Sequence, residues 1–180
     1  MKKYILLLTL FLPLSFSCSV YAQSAEGDIE ISGGIGEIAG ADIVSILAYN
    51  PDASNIKRVF HPIYSLGFKY YLKDKFALGL SVTQHSFSES YFNVYTYRNV
   101  SNYCDALSLC VEMKKVYLNR EYFQLYSTLG AGVMYLSNAS PGFSMYISPI
   151  GLRAGKNHAF FAEFGLGYKG LVHGGYCYRF

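Results

Sequence analysis

The sequence has no tryptophan among its 180 residues and only 15% charged residues, against 52% hydrophobic ones that include 18 tyrosines and 13 phenylalanines. A soluble domain covers roughly 25 to 35% of its surface with charged residues, so a chain this poor in ions has little with which to face water. Neither sign of charge dominates. The 15 basic residues, less Lys2 and Lys3 of the leader described next, leave 13 against 12 acidic ones. That excludes the basic field a nucleic acid requires, and no nucleic-acid partner is expected. The 4 cysteines form no CxxC pair and have no histidine pair nearby, so neither a metal nor a redox cofactor is expected. Beyond the leader there is also no uncharged apolar run of the about 20 residues that a membrane-spanning helix needs. The apolar surplus must be distributed in another way.

The leader is residues 1–22. Lys2 and Lys3 precede an apolar run from Tyr4 to Leu14, and small residues then lead to Val20-Tyr21-Ala22. This charged, apolar and small order is that of a secretory signal peptide cleaved after Ala22, leaving 23–180 as one domain. Cleavage before Cys18 as a lipoprotein is the second reading, and Ser15-Phe16-Ser17 makes a poor signal for it. Export permits disulfides, and Cys104 and Cys110 are close enough in YCDALSLC to form one.

Alternation shows where the apolar residues go. YSLGFKYYL puts Tyr64, Leu66, Phe68 and Tyr70 on one parity and Ser65, Gly67, Lys69 and Tyr71 on the other. FALGLSVT sets Phe76, Leu78, Leu80 and Val82 against Ala77, Gly79, Ser81 and Thr83, and AFFAEFGLGY sets Phe160, Ala162, Phe164, Leu166 and Tyr168 against Ala159, Phe161, Glu163, Gly165 and Gly167. Period-2 patterning of this kind predicts strands with one apolar face. The opposite face is mostly Gly, Ser, Ala and Thr, which makes a poor solvated surface but fits the crowded interior of a narrow barrel. The sheet is therefore read inside out, with its large apolar residues toward lipid.

Strands are expected at 28–36, 62–72, 76–87, 111–118, 122–136, 143–153, 159–168 and 171–180. That is an even number, several near the about 9 to 11 residues of a tilted membrane strand. The expected fold is all-β, an eight-stranded antiparallel transmembrane β-barrel with long loops at 37–61 and 88–110. For 111–118, one parity offers Glu112, Lys114, Val116 and Leu118 and the other Met113, Lys115 and Tyr117. Either choice sends one lysine outward. The chain ends on Tyr176, Tyr178 and Phe180 of one parity, which a closed barrel explains, because its last strand pairs with its first and must be ordered to the end.

That ending resembles the C-terminal signature of bacterial outer-membrane β-barrels, with aromatic residues at the last, third-last and fifth-last positions. The stretch PIGLRAGKNHAFFAEFGLGYKGLVHGGYCYRF is similar to the end of the small outer-membrane barrels common in Bacteroidetes, in the broader OmpA/OmpX-like group. The resemblance covers the last third closely and the remainder by pattern. It implies the outer membrane of a Gram-negative bacterium, with the lipid bilayer as partner and the assembly machinery reading the ending during biogenesis.

Candidate functional residues fall into three groups. Glu30, Lys69, Arg153, Glu163 and Arg179 share the inward parity. Charges in a narrow lumen are costly unless paired, so Glu163 is expected to meet Arg153, Arg179 or both, as a polar plug or alternatively as a proton path or gated pore. In the 88–110 segment, Tyr91, Tyr95, Tyr97, Arg98 and Tyr103 offer the aromatic-plus-arginine chemistry of a binding surface for an extracellular ligand. The same alternation suits strands that protrude beyond the membrane. QHSFSES supplies His85, Ser86, Ser88 and Glu89, and lipid A deacylases of similar fold use Ser, His and an acid. Neighbouring His85 and Ser86 point to opposite faces of a strand, however, and the His-x-Ser-Asn pattern of that family is absent, so no enzyme is expected.

Overall fold

The computed structural model describes residues 24–37, 57–93, 98–137 and 139–180, and their regular structure is entirely β. The leader lies outside them, as do most of the 37–61 segment and residues 94–97. The strands are β1 (Ile29–Glu37), β2 (Lys57–Phe60), β3 (Ile63–Lys73), β4 (Phe76–Asn93), β5 (Arg98–Arg120), β6 (Phe123–Leu136), β7 (Ala139–Gly155), β8 (His158–Gly167) and β9 (Val172–Arg179). β2 continues β3 across His61 and Pro62, and both pair with β4. Each remaining strand pairs antiparallel with its neighbours in sequence, and β9 pairs with β1. The result is a closed eight-stranded antiparallel barrel without a free edge.

Closure is completed by the last residue. Phe180 N–H donates to the Ile29 carbonyl at 3.0 Å, and Ile29 N–H returns the bond to the Phe180 carbonyl at 2.9 Å. Tyr176, Tyr178 and Phe180 face outward from this seam, and His158 of β8 stacks against Tyr178 with ring centroids 4.6 Å apart. Ser24, where the described residues begin, and the C-terminal Phe180 lie at one rim, together with the tight turns at Asp74–Lys75, Glu121–Tyr122 and Lys156–Asn157. The opposite rim is uneven. β4 and β5 run for 18 and 23 residues, whereas β8 and β9 run for 10 and 8.

Three segments of the sequence reading are corrected here. The expected loop at 37–61 includes strand, with Glu37 closing β1 and Lys57–Phe60 forming β2. The expected loop at 88–110 is largely strand, because β4 continues to Asn93 and β5 begins at Arg98. Tyr168, expected to face outward with its strand, faces inward. Gly167 ends β8 at φ +134°, a backbone state that favours glycine, and the following turn carries Tyr168 and Lys169 over the rim into the barrel.

Small and large residues alternate around the interior as well as along the strands. Across consecutive strands, Lys69 pairs with Gly79, Gly79 with Glu112, Glu112 with Gly130 and Gly130 with Tyr146. The glycines leave room for their neighbours' side chains to cross the lumen. A Cβ on Gly130 would stand 2.4 Å from the Tyr168 hydroxyl, and one on Gly151 the same distance from the Tyr126 ring. Pro149, which lacks an N–H, sits where β7 shifts register against β8. The shift reverses the parity of β7, so that Ile147 and Ile150 both face outward and Arg153 turns inward.

Candidate functional site in the barrel lumen

The interior holds two clusters of ions. Glu30, Lys69, Arg153, Glu163 and Arg179 are all buried, and they are joined by Glu112, Lys114, Lys169 and His173. β5 therefore presents Glu112, Lys114 and Val116 inward and Lys115 outward, which settles the parity that the sequence left open.

The terminal cluster, nearest the chain ends, is organised on Glu30. This carboxylate, 3% exposed, accepts from Lys114 Nζ at 2.8 Å and Arg179 Nη2 at 2.7 Å, and it lies 3.3 Å from Arg153 Nε. Arg179 also donates to the Tyr71 hydroxyl at 2.7 Å and to Gln124 Oε1 at 3.0 Å. Lys114 lies over the Tyr126 ring, 4.2 Å from its centroid. Arg153 spreads its remaining donors over the β7–β8 turn, reaching the Gly155 carbonyl at 3.1 Å and the Asn157 carbonyl at 3.4 Å. At this rim Ser24 is buried, donating to the Asp74 carbonyl at 2.6 Å while its own carbonyl accepts from Asn119 at 3.4 Å.

The upper cluster is organised on Glu112 and Glu163. Glu112 lies 3.1 Å from Lys69 and 2.5 Å from Lys169, and accepts from the Tyr168 hydroxyl at 2.8 Å. Glu163 accepts from Thr128 and Tyr146, each at 3.2 Å, and is 3.4 Å from His173 Nδ1 and 3.9 Å from Lys169. His173 Nε2 in turn meets Ser65 Oγ at 2.7 Å. A cavity of 10 Å³, about the room of one water, remains among residues that include Glu30, Lys69 and Glu163.

The expected partnership of Glu163 with Arg153 or Arg179 is therefore corrected: both arginines converge on Glu30, and Glu163 is met by histidine, lysine and hydroxyl groups. Glu112 and Lys114 stood on a strand whose parity was ambiguous. Lys169 stood in what reads as an ordinary turn, and the glycines at 167 and 170 that bend it inward, the latter at φ +92°, were the available signal.

Other sequence candidates separate. The Cys104–Cys110 disulfide is not formed, and both thiols are free. They sit six residues apart along β5, roughly 20 Å at strand rise, so the extended backbone forbids the bridge. Tyr103 is outward and exposed. Tyr91 and Arg98 lie on β4 and β5 with side chains outside the description, and Tyr95 and Tyr97 fall outside the described residues. His85 points inward, whereas the Ser86 hydroxyl donates to Asp105 Oδ1 at 2.6 Å. At the terminal rim, Lys156 pairs with Glu121, whose carboxylate hydrogen bond holds the ammonium pKa above the usual lysine value.

These features define a class: a closed eight-stranded antiparallel barrel whose narrow interior is filled by ion-paired side chains. One solved structure bears this out for the fold. The outer membrane protein OprG from Pseudomonas aeruginosa is similar at a TM-score of 0.57 and 14% identity, over 89% of this chain and 99% of that one. The outer membrane protein Ail of Yersinia pestis, in a phospholipid bilayer nanodisc, is similar at a TM-score of 0.47 and 19% identity, over 86% of this chain and 100% of that one. No protein-family model and no curated protein matches the chain.

Proposed function

We propose that the chain spans the outer membrane of a Gram-negative bacterium as a closed, non-conducting barrel, exported by its 1–22 leader and serving as a rigid base for an external interaction surface. The observation that carries this reading is the apolar exterior. Ile31, Leu66, Phe68, Leu80, Leu109, Leu129, Ile147, Phe164 and Val172, from eight strands, all point away from the lumen and are exposed. Soluble monomers rarely expose contiguous apolar patches beyond a few hundred Å², and a belt of this kind around a ring fits hydrocarbon. The tight turns at the terminal rim support a periplasmic placement of that rim, with β4 and β5 rising on the outer side. The narrower placement among Bacteroidetes-type barrels of the OmpA/OmpX-like group, and reading of the ending by the assembly machinery, belong to the same proposal.

The lumen is proposed to be structural. Five buried cations and three buried carboxylates among the described residues hold opposite walls together, and the cavity found between them has room for about one water, which supports a filled lumen. A narrow channel for ions or small solutes is the second reading, favoured by that cavity's place between the two clusters. No catalytic role is proposed, since Ser86 commits its hydroxyl to Asp105 and His85 faces the other side of the strand.

Membrane fractionation with boiled and unboiled gel migration tests the placement. The expected protein is extracted only with detergent and migrates differently when boiled. Recordings in planar bilayers test the lumen: a flat baseline for the native barrel is expected, and steady unitary conductance abolished by Glu163→Gln would favour the channel.

A further inference from the structure

The outward face of β3, β4 and β5 is apolar through Leu66, Val82 and Leu109, and one step further from the terminal rim its chemistry changes. Tyr64 is paired there with Gln84, and Ser86 with Asp105. Beside them the β2–β3 strand is interrupted. Phe60 pairs with Phe87 but the register resumes with Tyr64 against Gln84, so one extra residue is accommodated around His61 and Pro62. The bulge opens a recess of 250 Å³ lined by His61, Pro62, Tyr64, Gln84, Ser86 and Tyr103.

The polar side of this recess, formed by His61, Gln84 and Ser86, adjoins Asp105 behind Ser86 and is held in place. Ser86 Oγ fixes Asp105 Oδ1 at 2.6 Å, and the Asp105 backbone is clamped to Ser137 through an N–H to Oγ bond of 3.1 Å and a return bond of 3.0 Å. The apolar side consists of two tyrosine rings, with Tyr64 57% and Tyr103 56% exposed. An acyl chain in the recess would strip water from Gln84, Ser86 and Asp105 without replacing its hydrogen bonds. A phosphate would face the Asp105 carboxylate. A sugar ring satisfies both sides, because its C–H faces suit tyrosine rings and its hydroxyls suit a carboxylate, an amide and an imidazole.

We propose that this recess binds a sugar ring, with Tyr64 and Tyr103 against its C–H faces and His61, Gln84 and Asp105 at its hydroxyls. The border of the apolar belt places the recess at headgroup level, so the favoured source is the sugar head of a glycolipid in the flanking leaflet, ahead of a free saccharide. The inference rests on the membrane reading of the barrel but not on the closed lumen. Failure of that reading appears as a protein extracted without detergent. Failure of this inference appears as loss of binding in a protein that fractionates with membranes.

Because the chain has no tryptophan, Leu107→Trp, outward and paired with Gln84, installs a single fluorescent reporter beside the recess. The whole barrel carrying it is placed in phosphatidylcholine nanodiscs and titrated with rough-type lipopolysaccharide, with the oligosaccharide released from it, and with phosphatidylethanolamine. A saturating emission shift with lipopolysaccharide is expected, with half-saturation raised at least tenfold by Asp105→Asn or Tyr103→Ala in barrels whose heat-modifiable migration is unchanged. A response to lipopolysaccharide alone assigns the membrane-anchored sugar; a response to the oligosaccharide as well shows that the sugar suffices. No shift with either, an equal shift with phosphatidylethanolamine, or indifference to both substitutions overturns the proposal.

Discussion

The terminal cluster sets one carboxylate among three cations, whereas the upper cluster divides its cations between two carboxylates. Glu30 is within ion-pair distance of Lys114, Arg153 and Arg179, so nothing in the described lumen stands in for it at that level. In the upper cluster Lys169 touches both Glu112 and Glu163, and Glu163 has further support from Thr128, Tyr146 and His173. A buried ion pair is weak evidence of net stability, but removing one partner leaves the others uncompensated. The two clusters should therefore respond differently to the same chemical change.

The largest effect is expected from Glu30→Gln. It leaves three cations facing one another in a buried site and should cost about 3 to 5 kcal/mol, read as a shift in urea titrations in detergent by loss of the compact unboiled gel band. Next is Gly151→Val, which drives a side chain into Tyr126 beneath Lys114. It should cost about 1 to 3 kcal/mol through overpacking in the same titration. Glu163→Gln should be milder, about 1 kcal/mol, because the amide oxygen still accepts from Thr128 or Tyr146 while Lys169 keeps Glu112. An equal loss from Glu163→Gln and Glu30→Gln would erase the distinction between the clusters.

The smallest effect lies outside both clusters, at Lys156 and Glu121. The folded lysine pKa is raised, so the stabilising contribution is complete below the ordinary lysine value of about 10.5 and is lost as pH rises through the folded value. Between pH 6 and 9, Glu121→Gln should therefore lower stability by a constant small amount, with the gap to native closing only in stronger alkali. Urea titrations at pH 7 and at alkaline pH check this.

The walls of the barrel were legible in the sequence because two solvents select their faces. In the proposed bilayer, hydrocarbon favours Leu66, Leu80 and Phe164 outside, and a narrow lumen favours Gly79, Ser81 and Ala159 inside, so alternation revealed both the strands and their orientation. The ending was legible for the same reason: Tyr176, Tyr178 and Phe180 are held in the seam with β1. Where a strand would leave the proposed bilayer, its outward face is no longer obliged to be apolar. The period-2 signal then fades, and the outer parts of β4 and β5 read as loop.

The ionic partnerships were legible only as a set of residues. Which acid meets which base depends on strand tilt and on ring closure, neither of which sequence spacing records. Arg153 reaches Glu30 only because the register shift at Pro149 reverses the parity of β7. Lys169 enters only because its turn bends inward between Gly167 and Gly170. The recess on the outer wall was hidden likewise, since it joins residues of β3, β4 and β5 around a bulge.

Spin labels placed one at a time at Leu80, Phe164 and Thr83 in the barrel reconstituted in bilayers test the central claim most directly. Leu80 and Phe164 are predicted to relax with bilayer-dissolved oxygen and to resist a water-soluble nickel complex, while Thr83 resists both. Strong relaxation of Leu80 and Phe164 by the nickel complex, with oxygen ineffective, would place the apolar face in water and contradict the account.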